Sequence, residues 1–142
     1  MDFLSLERIW EDEDFFEIEI IAKSRLICAS VRSYTTDKLM LELALRLSAF
    51  PQNSDERFIW ENGRKGDDST PFISLEFWCA DKLGHITIEV YMEIDDGGLY
   101  SKHNCCFFVE TEIGLLNNFG KSLRSLNESG IGKKIILNQT AE

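Results

Sequence analysis

The chain of 142 residues carries 25 acidic and 15 basic side chains, for a formal net charge of −10 at pH 7, and 44% of its residues are hydrophobic. This composition excludes a disordered chain, and the length predicts a single domain, residues 1–142, with a core of its own. Because a negatively charged protein is repelled by nucleic acid and by anionic membranes, we expect neither as a partner.

The acidic side chains are concentrated at the start of the chain. Residues 1–20 contain eight acids and one base, and hydrophobic residues such as Trp10, Phe15 and Phe16 lie between them. We expect no secretory signal, since no continuous apolar run follows a basic start, and nowhere do the roughly 20 apolar residues of a membrane-spanning helix occur. The four cysteines show no disulfide spacing, so the expected location is cytoplasmic.

Hydrophobic periodicity predicts the elements of the fold in chain order. Alternating residues indicate strands, while the apolar residues from Leu39 to Phe50, at intervals of four, four and three, indicate a helix. The predicted elements are a short helix or strand entry at 3–10, strands at 16–22 and 26–32, a helix at 36–49, a weak strand at 58–60, strands at 72–80, 85–94 and 104–111, a helix between Thr111 and Ser129, and a short edge strand at 134–138.

Consecutive strands in this order favour antiparallel pairing, and no strand-helix-strand alternation recurs. The prediction is therefore an α+β fold, a mainly antiparallel sheet of about five to six strands with two helices packed on one face. No internal repeat is evident in the sequence.

No catalytic or metal motif stands out, and we expect a protein that is not an enzyme, with no cofactor and no metal. The potential zinc ligands are His85, His103, Cys79, Cys105 and Cys106, but their spacing supplies no preformed ligand pair. Cysteines within apolar strands are usually buried, inert thiols. An alternative is a small-molecule-binding or enzymatic domain, whose pocket between sheet and helices would lie near His85, His103 and Tyr91.

Three features resemble the small acidic immunity proteins of bacterial polymorphic-toxin and contact-dependent growth inhibition systems. They are the cluster Glu11–Asp14, the entry Gly84-His85 into a hydrophobic strand, and Val109-Glu110 before a leucine-rich helix. The resemblance implies a cytosolic α+β domain that covers the active site of a toxin or a surface beside it. A basic toxin would complement this acidic chain.

Aromatic anchors within a charged rim are typical of protein interfaces, which favours a basic protein as the partner. The alternatives are that the acids only keep the protein soluble, or that the chain assembles through a sheet edge; the oligomeric state is left open. The predicted partner-binding residues are Trp10, Glu11, Asp12, Glu13 and Asp14, with Asp67, Asp68, Asp95 and Asp96 as loop contributors.

Overall fold

A computed structural model describes residues 2–66, 71–95, 102–128 and 130–138 of the chain. Within these ranges, eight strands and two helices make up an α+β fold. Their bounds are β1 (Phe3–Glu11), β2 (Phe16–Lys23), β3 (Cys28–Thr35), α1 (Asp37–Ser48), β4 (Arg57–Asn62), β5 (Phe72–Cys79), β6 (His85–Asp95), β7 (Lys102–Glu112), α2 (Ile113–Glu128) and β8 (Lys134–Leu137).

The strands form two antiparallel sheets of four strands each. Sheet A has the order β3-β2-β1-β8 and sheet B the order β4-β5-β6-β7. The predicted class and the antiparallel pairing are confirmed, but the expectation of one sheet with five to six strands is corrected. Residues 3–11, which were compatible with a helix or a strand, are a full strand that joins β8 and so completes a second sheet.

The chain runs through the same order of elements twice. The series β1-β2-β3-α1-β4 is followed by β5-β6-β7-α2-β8, which the sequence did not reveal. The strand after each helix pairs in the sheet of the other half, since β4 lies beside β5 and β8 lies beside β1. Each half of the chain therefore completes the sheet of the other half.

One hydrophobic core joins both sheets and both helices. Alternate strand residues point into it, such as Ile18 and Ile20 in sheet A and Leu75 and Phe77 in sheet B. The helices contribute their apolar stripes, Met40, Leu43, Ala44 and Leu47 from α1 and Leu116, Phe119, Leu123 and Leu126 from α2. The opposite faces of the two sheets point away from this core.

The predicted helix at residues 36–49 corresponds to α1, with Thr36 as the N-cap. The Thr36 hydroxyl accepts a hydrogen bond from the backbone N–H of Leu39 at 3.3 Å, which satisfies one free donor of the first turn. Helix α1 ends before the cis Phe50–Pro51 peptide. Neither helix in the described ranges combines the length and the apolar character that crossing a membrane requires.

Candidate functional site

The end of the β1–β2 hairpin carries the residues that the sequence singled out. The two strands pair in regular register as far as Arg8 opposite Ile18, and then shift so that Trp10 lies opposite Glu17. Ile9 is therefore the extra residue of a β-bulge, which redirects the side chains that follow it. Since Glu17 also pairs with Tyr34, the outer face of sheet A ends in the row Trp10, Glu17 and Tyr34.

Three aromatic rings pack together at this end while remaining exposed. The ring centroids of Trp10 and Tyr34 are 6.0 Å apart, those of Trp10 and Phe15 6.2 Å, and those of Phe15 and Tyr34 5.2 Å. Their residues are 43%, 39% and 55% exposed in the order Trp10, Phe15, Tyr34. Rings held in place by one another offer contact area at little further loss of side-chain entropy.

The four acids of the turn divide into two pairs with different roles. The Glu11 carboxylate contacts the Arg8 guanidinium at 2.7 Å, and the Asp12 carboxylate accepts hydrogen bonds from the backbone N–H groups of Asp14 and Phe15. Glu13 and Asp14 are exposed, and neither carboxylate takes part in a hydrogen bond or an ion pair with the described residues. We call Trp10, Phe15, Tyr34, Glu13 and Asp14 the hairpin patch.

Arg8 explains why Glu11 belongs to the fold rather than to a free surface. The guanidinium is nearly buried, lies 4.2 Å from the centroid of the Phe16 ring, and donates to the last turn of α2 at the Leu126 carbonyl, 2.7 Å away. A buried cation needs a counter-charge and hydrogen-bond acceptors, and Glu11 supplies the charge.

A groove of about 340 Å³ opens beside the hairpin patch, between the end of β3, the start of α1 and the end of β4. Its lining is mainly apolar and includes Phe15, Tyr34, Thr35, Thr36, Leu39, Asn62 and Gly63. The buried Asn62 amide donates to the Ser33 hydroxyl at 2.6 Å and to the Tyr34 carbonyl at 3.0 Å, which ties sheet B to the edge of sheet A. Gly63, with φ of 92°, leaves no room for a side chain against the Pro71 carbonyl.

Of the remaining acids in the opening segment, Glu17 lies in register between Trp10 and Tyr34, and the others lie farther from the patch. Asp2 lies before the first residue of β1 and accepts a hydrogen bond from the backbone N–H of Glu110. A strand of nine residues is about 30 Å long, so Asp2 is about that far from the hairpin turn. Glu7 and Glu19 face each other in the middle of sheet A. The charge of the opening segment is thus spread along a hairpin, and the part that lies at the patch comes from the turn and from Glu17.

The predicted loop contributors are only partly covered by the structure. Asp67, Asp68 and Asp96 lie outside the described residues. Asp95 is the last residue of β6, where it pairs with Lys102 of β7, and its side chain is likewise outside the description. Their proposed part in binding stays a prediction.

The candidate metal ligands do not form a site in the part of the chain that the structure describes. No three His, Cys, Asp or Glu side chains there are arranged to hold a metal ion. The thiols are not fully buried as expected, since Cys79 and Cys105 are half-buried and Cys106 is exposed. Partial desolvation raises the pKa of the Cys79 and Cys105 thiols, and partial desolvation together with the Glu89 carboxylate raises that of Cys106, which disfavours the thiolate in all three.

The alternative pocket near His85, His103 and Tyr91 is divided in the structure. His85 lines a hollow of about 310 Å³, Tyr91 lines a separate one of about 210 Å³, and His103 lines neither. The His85 imidazole hydrogen-bonds the Asp81 carboxylate, which raises the pKa of His85. This pair closes the exposed turn between β5 and β6.

Tyr34 is the contact residue that sequence reasoning missed. The second strand was expected to end at Arg32, which left Tyr34 outside it, whereas β3 continues to Thr35. The β-favouring residues Tyr34 and Thr35, which follow Arg32-Ser33 without a turn residue such as Gly or Pro, were the signal that could have extended the strand. No protein-family model, curated protein or solved structure gives a significant match to this chain.

Proposed function

We propose that the protein is a non-enzymatic binding protein of the immunity type, which neutralises a basic toxin by binding it through the hairpin patch. The observation that carries this proposal is the cluster of three exposed, mutually packed rings beside two carboxylates that have no partner within the described chain. Contiguous exposed apolar patches on proteins often mark interaction sites.

The rings and the acids would contribute to binding in different ways. Tryptophan and tyrosine are the residue types most often found as interface hot spots, because they bury large area and lose few rotamers. Carboxylates at the rim attract a basic partner over several ångströms and so raise the association rate, an effect that salt weakens. The groove beside Phe15 and Tyr34 has room for an apolar side chain of the partner.

The test begins with the genes on either side of this one, and a basic protein encoded there is taken as the candidate toxin. Growth of cells that express this neighbour, with and without the present chain, measures neutralisation, and calorimetry of the purified pair measures affinity. We expect rescue of growth and a complex, with Trp10→Ala or Tyr34→Ala each weakening binding about 30-fold or more. Glu13→Gln combined with Asp14→Asn should slow association at low salt.

Leu26→Ala is the matched control, since Leu26 is 88% exposed in the turn between β2 and β3, at the other end of the hairpin. It should leave affinity unchanged. The absence of both rescue and complex would refute the proposed function, and equal losses from Leu26→Ala and Trp10→Ala would refute the hairpin patch as its site.

The groove is the observation that supports a second candidate function, that of a small-molecule-binding domain. Its volume of about 340 Å³ falls at the lower end of the range for ligand sites, and it lies between a sheet and a helix. A metabolite library screened by thermal shift separates the two proposals. A ligand that raises the melting temperature and loses its effect in Leu39→Ala would favour this second candidate.

A further inference from the structure

The outer face of sheet B is a second acidic surface that the sequence did not single out. Both helices pack on the inner face, and the outward residues of β4–β7 alternate with core residues. The described side chains on this face include six glutamates against Arg57 and His85, together with apolar and neutral polar residues; they are Arg57, Ile59, Glu61, Phe72, Ser74, Glu76, Trp78, His85, Thr87, Glu89, Tyr91, Glu93, Asn104, Cys106, Phe108, Glu110 and Glu112.

At the centre of this face, two glutamates stand directly opposite each other. Glu76 of β5 pairs in register with Glu89 of β6, and the flanking positions in the same row are Ile59 and Phe108. Like charges directly opposite across two strands are unfavourable. Arg57 reaches Glu76 at 2.9 Å, whereas among the described residues Glu89 forms no ion pair and accepts a hydrogen bond from the thiol of Cys106 at 3.4 Å.

Sheet A contains the same arrangement with the repulsion relieved. Glu7 and Glu19 are register partners there, but the row continues into Lys134 on one side and Arg32 on the other. Arg32 Nε lies 3.0 Å from the Glu19 carboxylate. Each sheet therefore contains one pair of directly opposed glutamates. Cationic residues flank the pair in sheet A, whereas apolar residues flank the pair in sheet B.

A hollow of about 210 Å³ lies over this pair, and Lys65 is one of the residues that line it. It is lined by Glu61, Glu76 and Glu89 and walled by aromatic and apolar side chains. The Lys65 ammonium lies 5.0 Å from the centroid of the Tyr91 ring, within the range of a cation–π contact. The backbone N–H of Gly66 donates to the Glu93 carboxylate at 2.7 Å, which fastens this turn to the face.

We propose that the outer face of sheet B binds a basic segment of the protein partner, with one Lys or Arg side chain in the hollow between Glu61, Glu76 and Glu89. A cation there neutralises the opposed glutamates. The ring of Tyr91 contacts the guanidinium plane of an arginine or the ammonium of a lysine, as it contacts the ammonium of Lys65. Ile59 and Phe108, each about half exposed, supply apolar contact at the flanks.

This inference rests on the proposed function and adds a second contact on the other side of strand β4, which is the edge strand of sheet B. Asn62 and Gly63 line the groove beside the hairpin patch, while Glu61 and Lys65 line the hollow. The end of β4 and the turn after it thus separate the two depressions by only a few residues. A single extended segment of the partner can place an apolar side chain in the groove and a basic one in the hollow.

The first test is an NMR titration of the ¹⁵N-labelled protein with the peptide acetyl-Gly-Arg-Gly-Arg-Gly-amide at low salt. We expect saturating shifts at the amides of Glu61, Ser74, Glu89 and Tyr91, and about tenfold weaker binding in the double variant Glu61→Gln, Glu89→Gln. Glu42→Gln, on the exposed side of α1, is the control for lost charge and should have no effect. Shifts spread evenly over all acidic surfaces, or no shifts, would overturn the proposal.

The second test concerns the opposed glutamates and needs no ligand. Glu89→Gln should raise the midpoint of urea unfolding because it removes the repulsion with Glu76, whereas Glu19→Gln should lower it because it loses the pair with Arg32. Midpoints that fall equally in both variants would overturn the argument that Glu76 and Glu89 repel each other in sheet B. Neither test uses the toxin, so they fail independently of the growth and calorimetry experiments on the hairpin patch.

Discussion

The close approach of the two helices at Gly120 allows a prediction with a defined magnitude. A Cβ atom at this position would lie 2.5 Å from the backbone nitrogen of Ser48 and 2.8 Å from the carbonyl carbon of Leu47. Backbone atoms cannot rotate away as the end of a side chain can, so Gly120→Ala must separate the helices. Forcing one methyl group into a packed interface destabilises a protein by about 1–3 kcal/mol.

Two further contributions adjust this figure. Asn117, one turn earlier on α2, donates to the carbonyls of Leu47 and Phe50 at 2.8 and 2.9 Å, and separating the helices would stretch both hydrogen bonds. Against this, alanine is favoured over glycine in a helix by about 1 kcal/mol. The expected net loss is about 2 kcal/mol, or roughly 7 °C in the melting temperature of a chain of this length.

Urea unfolding, followed by tryptophan fluorescence and circular dichroism, measures this loss. Gly114→Ala is the control on the same helix, because a Cβ there meets no atom within 4 Å, and it should be neutral or stabilising by up to about 1 kcal/mol. A Gly120→Ala midpoint equal to that of Gly114→Ala would refute the argument that the helices touch through backbone at this point.

Two further predictions concern charged pairs. Glu11→Gln should destabilise the protein by about 1 kcal/mol, because it weakens the ion pair with the nearly buried Arg8 guanidinium. Glu13→Gln is the control and should leave the urea midpoint unchanged. Equal midpoints for the two variants would contradict a structural role for Glu11. The Asp81 carboxylate raises the pKa of His85, so the contribution of this pair to stability is fully present below the unfolded histidine pKa of about 6.5 and is lost as pH rises through the folded pKa. An NMR titration of the His85 ring should give a lower pKa in Asp81→Asn than in the wild type, and coincident titration curves would show that Asp81 does not hold the proton there.

Periodicity was sufficient for the elements whose apolar stripe is regular. The helix expected at 36–49 and the strand expected at 134–138 match α1 and β8 closely, because side chains of both alternate between core and solvent at the period of their element. It was insufficient for β1, where buried Ser5 and Arg8 disturb the alternation and Ile9 adds a bulge. Misjudging β1 led to a prediction of one sheet instead of two.

The sequence predicted only part of the candidate site, because it does not show which partner each acidic side chain has in the fold. A run of four acids predicts a charged surface, but nothing local indicates that Glu11 would meet a guanidinium or that Asp12 would close the turn. Trp10 was identified from its neighbours, whereas Tyr34 comes to the same cluster only through the pairing of β2 with β3. The register between paired strands decides which charged side chains remain without a partner. The spacing of residues along the chain does not predict this register.

The exchange of strands between the two halves explains why the groove and the hollow lie so close together. Strand β4 follows the helix of the first half but pairs in sheet B, so its end passes the edge of sheet A, where Asn62 binds Ser33 and the Tyr34 carbonyl. The inward side of that end forms a wall of the groove, and the outward residue Glu61 forms a wall of the hollow. If β4 paired within its own half instead, the Tyr34 carbonyl would lose the hydrogen bond from the Asn62 amide. The groove and the hollow would then no longer lie on either side of the same strand end. The proposed docking surface is therefore a consequence of the exchanged topology, and the acidic opening segment supplies only one end of it.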